Sequence, residues 1–152
     1  MTTPLAGSVD LVDQLLVGGA TSLANLAIHA MLLAAVVWTV HRLSVRDSFA
    51  PAFLQYSFAI VATGVLLVAG HFVEVLLWAL TYRAVGAAPP GTDLVYFAFG
   101  NYTTLGYGDT VPLPQWRLLG PITALNGIML IGWSTALIIE ILRRSGSATA
   151  KA

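Results

Sequence analysis

Cysteine is absent from the 152 residues, and charge is scarce: Lys, Arg, Asp and Glu together make up 9% of the chain. Without thiols there is no disulfide framework, no thiolate metal site and no thiol redox chemistry. Seven Lys and Arg balance seven Asp and Glu, so the total offers no field for nucleic acid or an acidic lipid surface. The few ionisable groups show no arrangement of nucleophile, base and orienting group, which argues against an enzyme. What fills the chain instead is apolar. Hydrophobic residues make up 57% of it and mean hydropathy is +0.82, whereas soluble domains carry roughly 25% charged residues.

Three segments, 23–40, 56–80 and 118–139, are long and apolar enough to cross a bilayer core, which takes about 20 helical residues. The first and third have no formal charge; the second has Glu74, with His71 three residues before it on one helical face. All three are expected to be helices, because a lone strand leaves its backbone unsatisfied in lipid. Pro51 precedes the second segment, Pro89-Pro90-Gly91 follows it, and Gly120-Pro121 opens the third. Arg42 and Arg46 lie between the first two segments, and Arg143, Arg144 and Lys151 follow the third. The excess of basic residues there predicts a cytoplasmic location, against only Arg83 and Arg117 in the other loop. Three crossings then place the amino terminus outside, with Asp10 and Asp13 but no Lys or Arg in its tail. That tail lacks the positive region of a cleaved signal peptide.

Between the second and third segments, residues 93–102 form a shorter apolar and aromatic piece, with Thr92 or Asp93 available as its amino-terminal cap. It is too short to span and suits a re-entrant helix. Directly after it stand Thr103-Thr104-Leu105-Gly106-Tyr107-Gly108-Asp109. Glycine tolerates dihedrals forbidden to other residues, so two glycines let successive carbonyls face one side of an extended strand and replace the water around a cation.

This run resembles the signature of the potassium-channel pore family, and the resemblance extends over about 53–143. It implies an all-α membrane protein of three transmembrane helices, a re-entrant pore helix and a selectivity-filter loop, assembled as a homotetramer. Residues 1–22 would then be an extracellular tail and 23–42 an additional helix. Within 53–143 would follow the outer helix 56–80, pore helix 93–102, filter 103–109 and inner helix 118–142, leaving 144–152 as a cytoplasmic tail. Thr104, Leu105, Gly106 and Tyr107 would bind K+, the transported ion, with no cofactor. Thr103, Gly108, Asp109 and Tyr96 would support the filter. Filter and amino terminus would lie outside a plasma membrane, the carboxyl terminus in the cytoplasm; membrane lipid and further copies of the chain are the expected partners, with an unidentified regulatory subunit as a further candidate.

Departures from the family pattern bear on filter stability. Leu105 stands where Val or Ile is usual, and its side chain is expected to pack against the pore helix. Gly100 occupies a position where some members carry a carboxylate that bonds the filter aspartate, leaving Tyr96 as the donor expected for Asp109. On the inner helix Gly127 and Gly132 are candidate hinges, with close packing as the other reason for glycine. Ile128, Ile131, Thr135 and Ile138 repeat at helical spacing, with Leu142 beyond, and are candidates to line the cavity. His71 and Glu74 are either a proton-sensitive brace behind the filter or a polar contact from outer helix to pore helix. His29 is expected to bond a neighbouring helix. No helix has Arg at every third position, so a voltage sensor of the usual kind is not expected, nor is a ligand-binding domain after the inner helix. The function expected is passive, potassium-selective conduction. A regulatory membrane subunit that needs a partner and a weakly selective cation pore are the alternatives.

Overall fold

The structure, a computed structural model, describes residues 9–44, 51–106, 108 and 110–149. Among them helix is the only regular secondary structure: α1 is Leu11–Ser44, α2 Ala52–Val85, α3 Leu94–Tyr102 and α4 Leu119–Thr149, with a 3₁₀ turn at Pro114–Trp116. Three stretches, Leu11–Val40, Ser57–Val85 and Pro114–Arg143, are long and apolar enough to cross a membrane. The described residues therefore form the all-helical architecture of a multi-pass membrane protein. Arg46, Lys151, Tyr107 and Asp109, together with residues 1–8, lie outside the described residues.

Each long helix exceeds its expected bounds. Helix α1 begins at Leu11, so much of the expected tail over 1–22 is helical. Its start is local chemistry: Asp13 accepts a hydrogen bond from the Asp10 N–H at 3.4 Å, and the Asp10 carbonyl takes the Gln14 N–H at 3.2 Å. A carboxylate in the first turn also suits the positive end of the helix dipole. Helix α2 extends to Val85 rather than ending near 80, placing Arg83 in its last turn. Helix α4 runs to Thr149, so the expected tail over 144–152 is helical up to that residue.

Helix α2 stops at Gly86. With φ +63°, this glycine lets Ala87 N–H reach the Tyr82 carbonyl at 2.9 Å and Gly86 N–H the Arg83 carbonyl at 3.4 Å. That pair of bonds is the Schellman closure, which wants glycine at its left-handed position. The chain then turns through Pro89-Pro90-Gly91, where Gly91 has φ +85° and the Thr92 N–H bonds the Pro89 carbonyl at 3.2 Å.

The chain forms two compact units. One consists of Met1–Asn25 and Val75–Ile128; the other of Leu26–Glu74 and Met129–Ala152. The first has an aromatic core of Trp78, Tyr82, Phe97, Tyr102 and Trp116, with Val75, Ala79, Ala87, Ala98 and Leu119. The second packs Val36, Leu67 and Ile141 together, and Gly70 gives way to Leu32, whose side chain occupies the place of a Cβ. Helix α1 turns its polar and small residues inward: Gln14, Thr21, Asn25 and His29 are buried, while Leu15, Leu16, Leu23 and Met31 are exposed. Such inversion is the pattern of a helix whose surroundings are lipid and whose contacts are hydrogen bonds and close packing.

Candidate functional site

The short helix α3 and the segment after it form the first candidate site. Asp93 caps α3: its Oδ1 accepts from the Val95 and Tyr96 N–H groups at 3.0 and 3.1 Å. Phe97, Ala98, Asn101 and Tyr102 are its buried face. A directed chain of hydrogen bonds anchors that face. The Asn101 amide donates to the Tyr82 oxygen at 3.3 Å, the Tyr82 hydroxyl lies 2.6 Å from Thr123 Oγ1, and Thr123 donates to the Leu119 carbonyl at 2.7 Å. Since Thr123 directs its proton to Leu119, Tyr82 is the donor to Thr123. Asn126 Oδ1 gathers two further donors, Trp78 Nε1 and Asn25 Nδ2, each at 3.0 Å.

The carboxyl end of α3 repeats the closure at Gly86, with a threonine in the glycine position. Leu105 N–H bonds the Gly100 carbonyl at 3.0 Å, Thr104 N–H bonds the Asn101 carbonyl at 3.1 Å, and Thr104 has φ +59°. A β-branched residue there is an outlier that costs on the order of 1–3 kcal/mol. Thr103 hydrogen-bonds back to the Phe99 carbonyl at 2.8 Å. Leu105, expected against the pore helix, is 77% exposed in the single chain and lines the cleft beside α3. Gly106 has φ +98°, and its carbonyl oxygen lies 3.7 Å from where a Cβ on Gly100 would stand. Helix and returning segment bound a cleft of about 130 Å³, with Tyr96, Gly100, Leu105, Gly106 and Gly108 among its walls. Tyr96 is 61% exposed; its expected partner Asp109, like Tyr107, lies outside the described residues.

On α4, Gly127 has a packing reason of its own. A Cβ there would collide with the Tyr102 carbonyl oxygen and lie 3.0 Å from the Tyr102 ring, whereas a Cβ on Gly132 would meet nothing within 4 Å. Helix α4 continues unbroken through both glycines. Ile128, Ile131 and Thr135 are exposed and Ile138 is half-buried. The Thr135 hydroxyl bonds the Ile131 carbonyl at 3.0 Å.

The second candidate site surrounds Glu74. Expected to brace the filter or the short helix, this fully buried carboxylate makes close contacts with His29 of α1 and His71 of its own helix: Oε1 is 2.8 Å from His29 Nδ1 and Oε2 is 2.9 Å from His71 Nδ1. His71 Nε2 continues to Ser134 Oγ of α4 at 3.0 Å. The two imidazoles stack at 5.5 Å between centroids, and the Trp133 ring lies 6.3 Å from that of His29. Sequence reasoning paired His71 with Glu74 by spacing and expected His29 to bond a neighbouring helix, but did not join the three. Ser134, Asn101 and Asn126 were missed as well, although an amide inside an apolar span is a signal that could have found the last two.

Among curated proteins and among solved structures nothing matches this chain. A family model described as ion channel does, over residues 70–144. The match takes in the second half of α2, the capped helix α3, the segment after it and most of α4, so it is the ion-channel domain that this part of the chain resembles.

Proposed function

We propose that this chain is the subunit of a homotetrameric, potassium-selective channel. The observation that carries the reading is the nine-residue helix α3, capped by Asp93 and closed through Thr104, placed between two membrane-length helices and leading into Leu105-Gly106-Tyr107-Gly108-Asp109. Backbone carbonyls of Thr104, Leu105, Gly106 and Tyr107 would replace the water around K+, and repulsion between ions in adjacent sites would carry them through. The carboxyl end of α3, negative by its dipole, would face the ion path after a re-entrant course from outside. One filter segment supplies one side of such a path, and four copies around an axis would complete it. Irregular backbone inside a membrane requires such enclosure by protein or water. The basic residues Arg42, Arg46, Arg143, Arg144 and Lys151 favour the cytoplasm for both their locations.

The test is ion flux through purified protein in liposomes. Potassium-driven flux that barium blocks, that a sodium gradient fails to drive and that a Thr104→Ala substitution alters would establish the reading. No flux from a verified tetramer, across pH and voltage, would overturn it in favour of a regulatory subunit. One second reading is a weakly selective cation pore, because Leu105 stands where a β-branched residue is usual and is less stiff at χ1. Comparable sodium and potassium currents would identify that pore.

A further inference from the structure

We propose that His29, His71 and Glu74 form a binding site for a divalent cation of the zinc class. One nitrogen from each imidazole and one carboxylate oxygen lie within 4.8 Å of one another. Two histidines and a glutamate are a donor set that zinc accepts, with a further position left for water or another ligand. Ligands at about 2.0–2.1 Å from zinc stand about 3.4 Å apart in a tetrahedron. The contacts of 2.8 and 2.9 Å, made to different oxygens of Glu74, are those of a hydrogen-bonded cluster, whose donor atoms within 4.8 Å of one another would adjust to that spacing to admit the ion.

The need for positive charge at this place is independent of the donor geometry. Glu74 and His29 are both fully buried. No Lys or Arg occurs between Arg46 and Arg83 or between Arg117 and Arg143, so these spans offer the buried carboxylate no basic side chain, and a bound cation would supply the positive charge. One further observation points to a ligand. His71 makes the outer bond that metal-bound imidazoles make: its Nε2 lies 3.0 Å from Ser134 Oγ, which fixes the ring while Nδ1 faces Glu74. An ion here would join α1, α2 and α4 through side chains that belong to one compact unit.

The experiment is a zinc titration of the full-length protein in detergent after chelator treatment, followed by calorimetry and metal content, with Co²⁺ as a spectroscopic probe. The expected result is one zinc per chain and a cobalt d–d band of nitrogen and oxygen coordination. Glu74→Gln and His29→Gln should each weaken binding by about 100-fold or more, and Ser134→Ala by about tenfold. His41, the remaining histidine of three, serves as the control, and His41→Gln should bind as the parent does. No zinc taken up by the folded parent protein would mean that the cluster holds a proton only and would overturn the proposal, as would binding that survives Glu74→Gln or disappears in His41→Gln. Should Glu74→Gln fail to fold, the parent's cobalt spectrum and His29→Gln decide. Metal binding is read without ion flux, so either result leaves the conduction reading standing on its own test.

Discussion

At the scale of residues, Thr104 is where backbone strain and proposed chemistry coincide. Its left-handed conformation has the same hydrogen bonds as Gly86 at the end of α2, yet keeps a β-branched side chain. Thr104→Gly should therefore stabilise the chain by about 1 kcal/mol, seen as a raised unfolding midpoint in detergent. Thr104→Val keeps the branching and the strain while removing the hydroxyl. Loss of potassium selectivity in Thr104→Val, with unchanged stability, would assign an ion-facing role to the hydroxyl; unchanged selectivity would leave the closure of α3 as its purpose. Gly127 offers a second test. Gly127→Ala should destabilise by about 1–3 kcal/mol because the added methyl meets the Tyr102 backbone, and Gly132→Ala should be near neutral. Equal effects of the two substitutions on gating, with no loss of stability from either, would favour a hinge over packing. The seven-residue run was legible in the sequence because glycine spacing has a backbone meaning. The strain at Thr104 was not, because it arises from the way α3 ends against its own last turn.

At the scale of elements, α3 is held by its cap and by its buried face. Asp93→Ala should cost about 1 kcal/mol by freeing two N–H groups of the first turn. Tyr82→Phe removes the middle of the chain from Asn101 to Thr123 and should cost about 1–3 kcal/mol, since the Asn101 amide and Thr123 oxygen stay buried. Both are measured as shifts of the unfolding midpoint; an unchanged midpoint for Tyr82→Phe would mean that the packing of Trp78, Tyr82 and Phe97 suffices without the hydroxyl. The short helix and its cap were legible, since Asp93 precedes an apolar run of limited length. Helix α1 was only partly so. Gln14 and Thr21 fall in the expected tail and Asn25 near the start of the expected helix when residues are counted for hydropathy, but all three are buried. Gln14 accepts the Leu118 N–H at 3.1 Å, and Asn25 donates to Asn126 at 3.0 Å. A polar stripe can face inward when the partner, not the solvent, supplies the hydrogen bonds.

At the scale of the whole molecule, the proposed tetramer predicts that four chains co-migrate in native mass measurement from mild detergent, and that a cysteine introduced at Leu105, exposed in the single chain, is shielded from a bulky reagent in the assembly. A monomer that conducts would contradict the enclosure argument. Composition, the three apolar stretches and the run from Thr103 to Asp109 were determined by the sequence alone, because length, hydropathy and glycine spacing act locally and need no partner. Which polar groups meet was decided only by the tertiary structure. His29 and Glu74 stand 45 residues apart in the chain and 2.8 Å apart in space. Asn25 and Asn126 are separated by 101 residues and joined at 3.0 Å. No periodicity within one helix can specify such a pairing, because it depends on the rotation and register of two helices at once, and those are set by where small residues such as Gly70 and Gly127 let a neighbour's side chain or backbone approach.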